Sequence, residues 1–200
     1  MVNRQRVYVI RHGQVSGYER FPVYGHTDVD LTETGLIQIR QISERLRFTD
    51  IISIYASDLK RSVQGAHIIG AYHNVPLSFL PELREMYFGD WEGLSLTEIQ
   101  KDFPNELERR KKDLINFAAP GGGETLAKFS ERITKCYNKI LKTHKDNDIA
   151  IIAHGGVNRI ILCKALGLDI TQMFNFHQDY GCLNIIDYYP DSKLVQLVNG

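Results

Sequence analysis

Two histidines in this chain stand directly behind short β-branched runs. Val7-Tyr8-Val9-Ile10 runs into Arg11-His12-Gly13-Gln14, and Ile149-Ala150-Ile151-Ile152-Ala153 runs into His154-Gly155-Gly156. In open α/β sheets the C-terminal ends of the strands are where ligands bind. A histidine there is a better functional candidate than one on an exposed helix. Gly13, Gly155 and Gly156 let the chain turn sharply and bring its N–H groups close to a ligand. His154-Gly155-Gly156 also opens a helix, whose amides and dipole favour an anion. A third run, Ile51-Ile52-Ser53-Ile54-Tyr55, leads to Ser57-Asp58-Leu59-Lys60-Arg61. With a helix starting near Asp58, Arg61 falls about one turn in, over the same sheet edge. Arg11, Arg61, His12, His154 and a helix N-terminus together suit a doubly charged tetrahedral anion, most simply a phosphoryl group. The competing reading is an ion-pair cluster that only holds loops together.

Proton transfer needs a carboxyl group near that anion, and residue type alone leaves Glu82, Glu85 and Glu92 in competition. The sequence offers no carboxylate cluster for a metal. His26 and His177 are weaker candidates for the site. His67, His73 and His144 read as helix or turn residues. Tyr18, Phe21 and Tyr24 give the site an aromatic rim that would suit a ring-bearing or apolar leaving group, against the plainer reading of loop packing. Gly121-Gly122-Gly123 is a weak phosphate-cradle signal and reads better as a closing loop or hinge.

These residues need a scaffold, and the pattern supplies one. Near-continuous apolar runs suit strands buried on both faces. Pro76 to Leu80 is a weaker strand. Leu183–Tyr188 and Leu194–Val198 bracket Pro190-Asp191-Ser192 as a closing hairpin. Leu36, Ile39, Ser43 and Leu46 share a helical face, as do Leu126, Phe129, Ile133, Cys136, Tyr137 and Ile140. Helices are also expected over 59–72, 95–102, 106–116 and 157–166. Glu106 and Glu108 precede Arg110 and Lys112 by four residues, which makes the Arg109–Lys112 run a solvated, self-paired face. Strand–helix alternation predicts a three-layer α/β/α sandwich with a mostly parallel central sheet and an antiparallel edge.

Two hundred residues suit one domain, 1–200. Lys plus Arg and Asp plus Glu both total 24, a net charge of zero. That balance argues against a nucleic-acid partner, which favours a basic excess. No apolar run is long enough for a membrane span, and the N-terminus leaves no room for a signal peptide. The expectation is a soluble cytoplasmic protein. Cys136, Cys163 and Cys182 lack Cys-x-x-Cys spacing and read as small core residues.

The motifs together resemble the histidine phosphatase superfamily, with its phosphoglycerate-mutase-like fold. The likeness rests on Val9-Ile10-Arg11-His12-Gly13-Gln14, the Gly25–Gly35 stretch, Ser57–Gln64, Leu83–Gly93, Pro120–Thr125 and Ile152–Gly156, in that order. It implies that His12 is the nucleophile, transiently phosphorylated. It also implies that Arg11, Arg61 and His154 hold the phosphoryl oxygens, and that Glu85 is the general acid. Gln14, His26 and Gly155 are expected to contact substrate, and residues around 86–125 to form an inserted, mostly helical lid. The chain departs from the family at Gln14-Val15, where Glu-Thr is commoner, and at Tyr18, where many members carry Asn. Gln14 is then a partial substitute for that Asn.

The resemblance implies a metal-independent phosphomonoesterase with no cofactor, acting on a small-molecule phosphate ester. A homodimer is left open. The alternatives are a cofactor-dependent phosphoglycerate mutase and a non-catalytic module that binds a phosphorylated ligand. Met86 stands after Glu85 where mutases carry Arg, which favours the phosphatase branch. The Met-Tyr-Phe-Gly-Asp-Trp loop (residues 86–91) is similar to that of the α-ribazole phosphatases, which makes α-ribazole 5'-phosphate the leading substrate expectation.

Overall fold

Three β-branched runs, and one three-residue segment without a β-branched residue, form strands that point the same way. In the structure, a computed structural model that describes residues 4–20 and 23–200, these are β1 (Gln5–Arg11), β2 (Ile51–Ala56), β3 (Leu77–Phe79) and β4 (Asp148–Ala153). The hairpin of β5 (Leu183–Tyr188) and β6 (Lys193–Leu197) completes a six-stranded sheet of order β3-β2-β4-β1-β5-β6. The first four strands pair parallel, and β5 runs antiparallel to both β1 and β6.

Successive residues of a strand point to opposite faces, and both faces are covered. Val7, Val9, Ile149, Ile151 and Ala153 pack into one core with α5 (Leu126–Thr143) and α6 (Gly155–Leu166). Tyr8, Ile10, Ala150 and Ile152 pack into another with α1 (Glu33–Leu46) and α2 (Lys60–Gly70). The result is the expected three-layer sandwich. Leu126, Phe129, Ile133, Cys136, Tyr137 and Ile140 are the buried stripe of α5. A Phe or Ile to Ala change there should cost about 2–5 kcal/mol. Cys136, Cys163 and Cys182 are all buried and free.

Two local expectations need correction. The helix expected over 106–116 runs instead from Pro104 to Lys112. Proline is favoured in a first helical turn, where its missing N–H has no partner to lose. The chain leaves the helix at Asp113, whose carboxylate accepts from the Asn116 N–H at 3.0 Å and offers the backbone a competing turn. Within this helix, α4, with α3 (Leu96–Asp102) before it, Glu108 pairs with Lys111 at 2.6 Å. Arg110 instead lies 5.8 Å from the Phe174 ring centroid. The second correction concerns α2, which starts at Lys60 rather than near Asp58. Leu59 makes no side-chain cap; Asp28, from a different loop, accepts the Lys60 N–H at 2.8 Å. Between β3 and α5, Trp91, Ile99, Phe117 and Ala119 form a small core of their own. None of the described helices is long and apolar enough to cross a membrane.

Candidate active site

Register explains why the candidate residues meet. Arg11 is the Cα partner of Ala153, and Ala56 that of Ile152. The residues that follow β1, β2 and β4 therefore emerge at one sheet edge. His12 is 5% exposed and His154 1%, with ring centroids 5.1 Å apart and ring planes at 64°. Arg61, at the start of α2, is 1% exposed.

The hydrogen bonds fix both imidazole tautomers. His12 Nδ1 lies 2.8 Å from the Gly13 carbonyl oxygen. A carbonyl only accepts, so Nδ1 carries the proton and Nε2 keeps a free lone pair. His154 is set the opposite way. Arg61 Nε donates to its Nδ1 at 3.3 Å, which leaves the proton on Nε2. That buried Nε2 has no partner among the described residues, and neither does Arg11 Nε. Buried donors without partners are uncommon; two beside a free imidazole lone pair make a cradle for an anion.

Burial, reinforced by Arg61 and Arg11, holds the His12 pKa well below its usual 6.5. The same burial, with Arg61, His12 and Arg11 nearby, holds His154 down as well. Both rings are thus neutral at neutral pH. Neutral His12 can act as a nucleophile, and neutral His154 still donates through Nε2–H.

Arg61 is more encumbered than a free phosphate ligand. Its Nη1 donates to Thr27 O at 2.7 Å and its Nη2 to Gly25 O at 2.8 Å. Each of these nitrogens has a second N–H. Arg61 therefore ties down the 25–27 loop and sets the His154 tautomer as well as adding positive charge.

Of the three competing carboxyls, Glu85 lies against the site. Its Oε2 accepts the Gly156 N–H at 2.8 Å and its Oε1 the Met86 N–H at 2.9 Å. Glu92 is committed elsewhere: Oε1 accepts from His26 N at 2.7 Å and Oε2 from Thr27 Oγ1 at 2.8 Å. Glu82 is exposed in the 3-10 turn Pro81–Leu83.

The expected substrate contacts are placed less directly. The Gln14 side-chain Oε1 accepts from Thr32 Oγ1 at 2.8 Å, beside the cap of α1. His26 donates from Nε2 to the backbone oxygen of Glu85 at 2.9 Å, bracing the loop that carries it. Gly155 is the first residue of α6, and a Cβ there would lie 3.5 Å from Arg11 Nε. His177 is exposed and pairs with Asp179 at 2.9 Å. On the expected rim, the Tyr24 hydroxyl donates to Ser16 O at 2.8 Å, Tyr18 is half-buried, and Phe21 lies outside the described residues.

Several residues here carried no sequence signal. Tyr180 packs its ring centroid 5.6 Å from that of His12, and 4.0 Å from Arg11 Cζ. Gln178 accepts the Arg11 Nη1 donor through its backbone oxygen. Asn158 is fully buried. With its amide oriented to suit its neighbours it bridges the Arg11 N–H and the His154 carbonyl, each at 3.2 Å. All three are ordinary polar or aromatic residues distant in sequence from His12. Among the described residues no three His, Cys, Asp or Glu side chains converge to hold a metal ion.

Comparison with known proteins points the same way. The family model described as histidine phosphatase superfamily, branch 1, matches residues 7–200. The chain is 35% identical over 167 residues to the phosphoglycerate mutase-like protein 4 of Arabidopsis thaliana, covering 82% of this chain and 72% of the relative. It is 25% identical over 194 residues to the adenosylcobalamin/alpha-ribazole phosphatase of Escherichia coli K12, covering 97% and 95%. The crystal structure of the alpha-ribazole phosphatase from Shigella flexneri superposes with a TM-score of 0.89 at 24% identity, covering 98% and 96%. This last likeness concerns the fold.

Proposed function

Because the chain belongs to the histidine phosphatase superfamily, we propose that it is a phosphomonoesterase that works through a phosphohistidine at His12. The observation that carries this reading is the opposed tautomers. His12 offers a lone pair at Nε2, while His154 Nε2–H and Arg11 Nε face no protein acceptor among the described residues.

In the proposed reaction the ester's phosphoryl group sits among Arg11, Arg61, His154 and the N-terminus of α6. His12 Nε2 attacks phosphorus and the P–O ester bond breaks. Protonated Glu85 gives its proton to the departing alkoxide. Water then attacks the phosphohistidine while the Glu85 carboxylate takes the water's proton, releasing inorganic phosphate and restoring neutral His12. Charge on the equatorial oxygens is met by guanidinium and imidazole donors, so the chemistry needs no metal. The segment around 86–125 acts as a lid.

The substrate reading is α-ribazole 5'-phosphate. It is supported by the E. coli relative and by the aromatic groups around the site, Tyr24, Tyr180 and Tyr87, the last with its ring centroid 5.1 Å from that of His26. The test is a denaturing quench at alkaline pH of the enzyme mixed with a radiolabelled phosphate ester. Wild type should trap an acid-labile, base-stable phosphoenzyme, and His12→Ala should trap none. Label retained on His12→Ala overturns the covalent reading. A parallel screen of α-ribazole 5'-phosphate, sugar phosphates, 3-phosphoglycerate and phosphoserine tests the substrate. A higher kcat/KM for any of the others overturns that assignment alone.

A further inference from the structure

Glu85 stands where the chain enters the 86–125 segment, and Glu124 where it leaves. One guanidinium joins them. Arg132 lies nearly two turns into α5, at the border of that helix's buried stripe, with its side chain 23% exposed. Its Nε donates to Glu124 Oε1 at 2.9 Å, and its Nη2 to Glu124 Oε2 at 2.7 Å. Nη1 donates to the backbone oxygens of Glu82 at 2.8 Å and Arg84 at 3.0 Å. Nη2 also reaches the backbone oxygen of Glu85 at 3.3 Å.

A guanidinium has five N–H donors in a rigid fork, and these bonds use all of them. A surface arginine held by one carboxylate needs no such arrangement. Here one face of the fork grips Glu124 bidentately and the other grips the turn that ends in Glu85. The same junction is closed from the other side. Glu124 N donates to Tyr87 O at 2.7 Å, and His26 Nε2 shares the Glu85 carbonyl. Arg84 adds a bidentate pair to Asp58, at 2.7 and 2.6 Å, fastening the turn to the loop just before α2.

We infer that Arg132, with Glu124, is a positioning residue for Glu85: it straps together the two ends of the 86–125 segment and so fixes the Glu85 carboxyl against the N-terminus of α6. This rests on the reading of Glu85 as proton donor. The strap touches no reacting atom. It acts through the backbone of residues 82–85, so its loss shifts the acid while leaving His12, Arg11 and His154 in place. Lysine cannot replace it, because an ammonium has three donors and no planar fork.

The experiment follows phosphorylation of His12 in single turnover, with an alkyl phosphate and with p-nitrophenyl phosphate. An alkoxide leaves only with a proton; p-nitrophenolate leaves unaided. Arg132→Met, Arg132→Lys and Glu124→Gln should each slow the alkyl substrate by about 10²-fold, the scale of a misplacement of about 1 Å, and p-nitrophenyl phosphate by no more than about threefold. Lys135→Gln, an exposed change one turn further along α5, should alter neither. Adding Glu85→Gln to Arg132→Met should cost the alkyl substrate far less than the product of the two single losses. Thermal unfolding identifies any variant that fails to fold. Glu124→Gln keeps its shape and one acceptor, and decides the matter if Arg132→Met does not fold. Equal losses on both substrates, or no loss on either, overturn the strap when Glu85→Gln alone shows the contrast. If Glu85→Gln shows no contrast, Glu85 is not the donor, and the catalytic assignment and the strap fall together.

Discussion

The Glu85 carboxylate is hydrogen-bonded to the backbone N–H of Gly156 at 2.8 Å, so the proposed acid sits on the same helix terminus that His154 caps. This contact needs a glycine. A Cβ on residue 156 would overlap Glu85 Oε1 and lie 3.0 Å from its carboxyl carbon.

Gly156→Ala should therefore push the Glu85 carboxyl off the helix terminus while leaving His12 and His154 intact. The expected outcome is a loss of about 10²-fold or more in single-turnover phosphorylation by an alkyl phosphate, within the range of general acid catalysis. p-Nitrophenyl phosphate should be affected much less. Measuring both on one enzyme preparation checks the idea; equal losses would mean that Glu85 does not depend on this contact.

Arg61→Ala should cost both rate and stability. Removing one stabiliser of transition-state charge is worth at least about 10²-fold in kcat. The same change leaves the buried Gly25 carbonyl and His154 Nδ1 without their donor, at roughly 1–3 kcal/mol per buried unsatisfied group, and frees the more exposed Thr27 carbonyl. Steady-state kinetics below the variant's own unfolding transition, together with urea unfolding, separate the two effects. A stable variant with full activity would remove Arg61 from the site.

The three-layer fold was legible because Val7–Ile10 and Ile149–Ala153 are too apolar for any but buried strands. The Leu126–Ile140 stripe was equally plain. What misled was local: Asp113 as a turn-former inside a charged run, and Asp28 as a cap supplied from another loop. In the site, Arg11, His12, His154 and Gly155 could be read because each stands at the end of a strand or within two residues after it. Glu85 needed the family resemblance to stand out from Glu82 and Glu92. Arg132, Tyr180 and Asn158 could not be read, because they reach the site only through the packing of α5, α6 and the 178–182 loop. Gln14 was expected near the phosphate, and its side-chain oxygen is engaged by Thr32 instead.

Turnover should be insensitive to metal removal. The donors that face the anion cradle are guanidinium, imidazole and backbone N–H groups, and no three metal-ligating side chains converge among the described residues. Dialysis against EDTA should leave kcat and KM unchanged, and added magnesium should restore nothing. Activity lost to EDTA and regained with magnesium would overturn the metal-free mechanism.

Acid should destabilise the protein through His12 and His154, the buried pair proposed to act in catalysis. His12 and His154 have pKa values held well below 6.5 in the folded chain, while in the unfolded chain both return to about 6.5. Between those limits the unfolded state binds more protons, so stability rises with pH and falls as pH drops below about 6.5. Each histidine contributes up to roughly tenfold in the unfolding constant per pH unit across that window. His26, His73 and His144 are also lowered by burial and add to the slope. Urea unfolding of wild type and of His12→Gln/His154→Gln, compared at several pH values from 7 down to 5, isolates this buried pair. The double variant should lose distinctly less stability over that range, because neither glutamine titrates. Parallel pH dependences would show that the two rings are not held neutral by the fold, and that His12 does not owe its free lone pair below pH 6.5 to burial between Arg11 and Arg61.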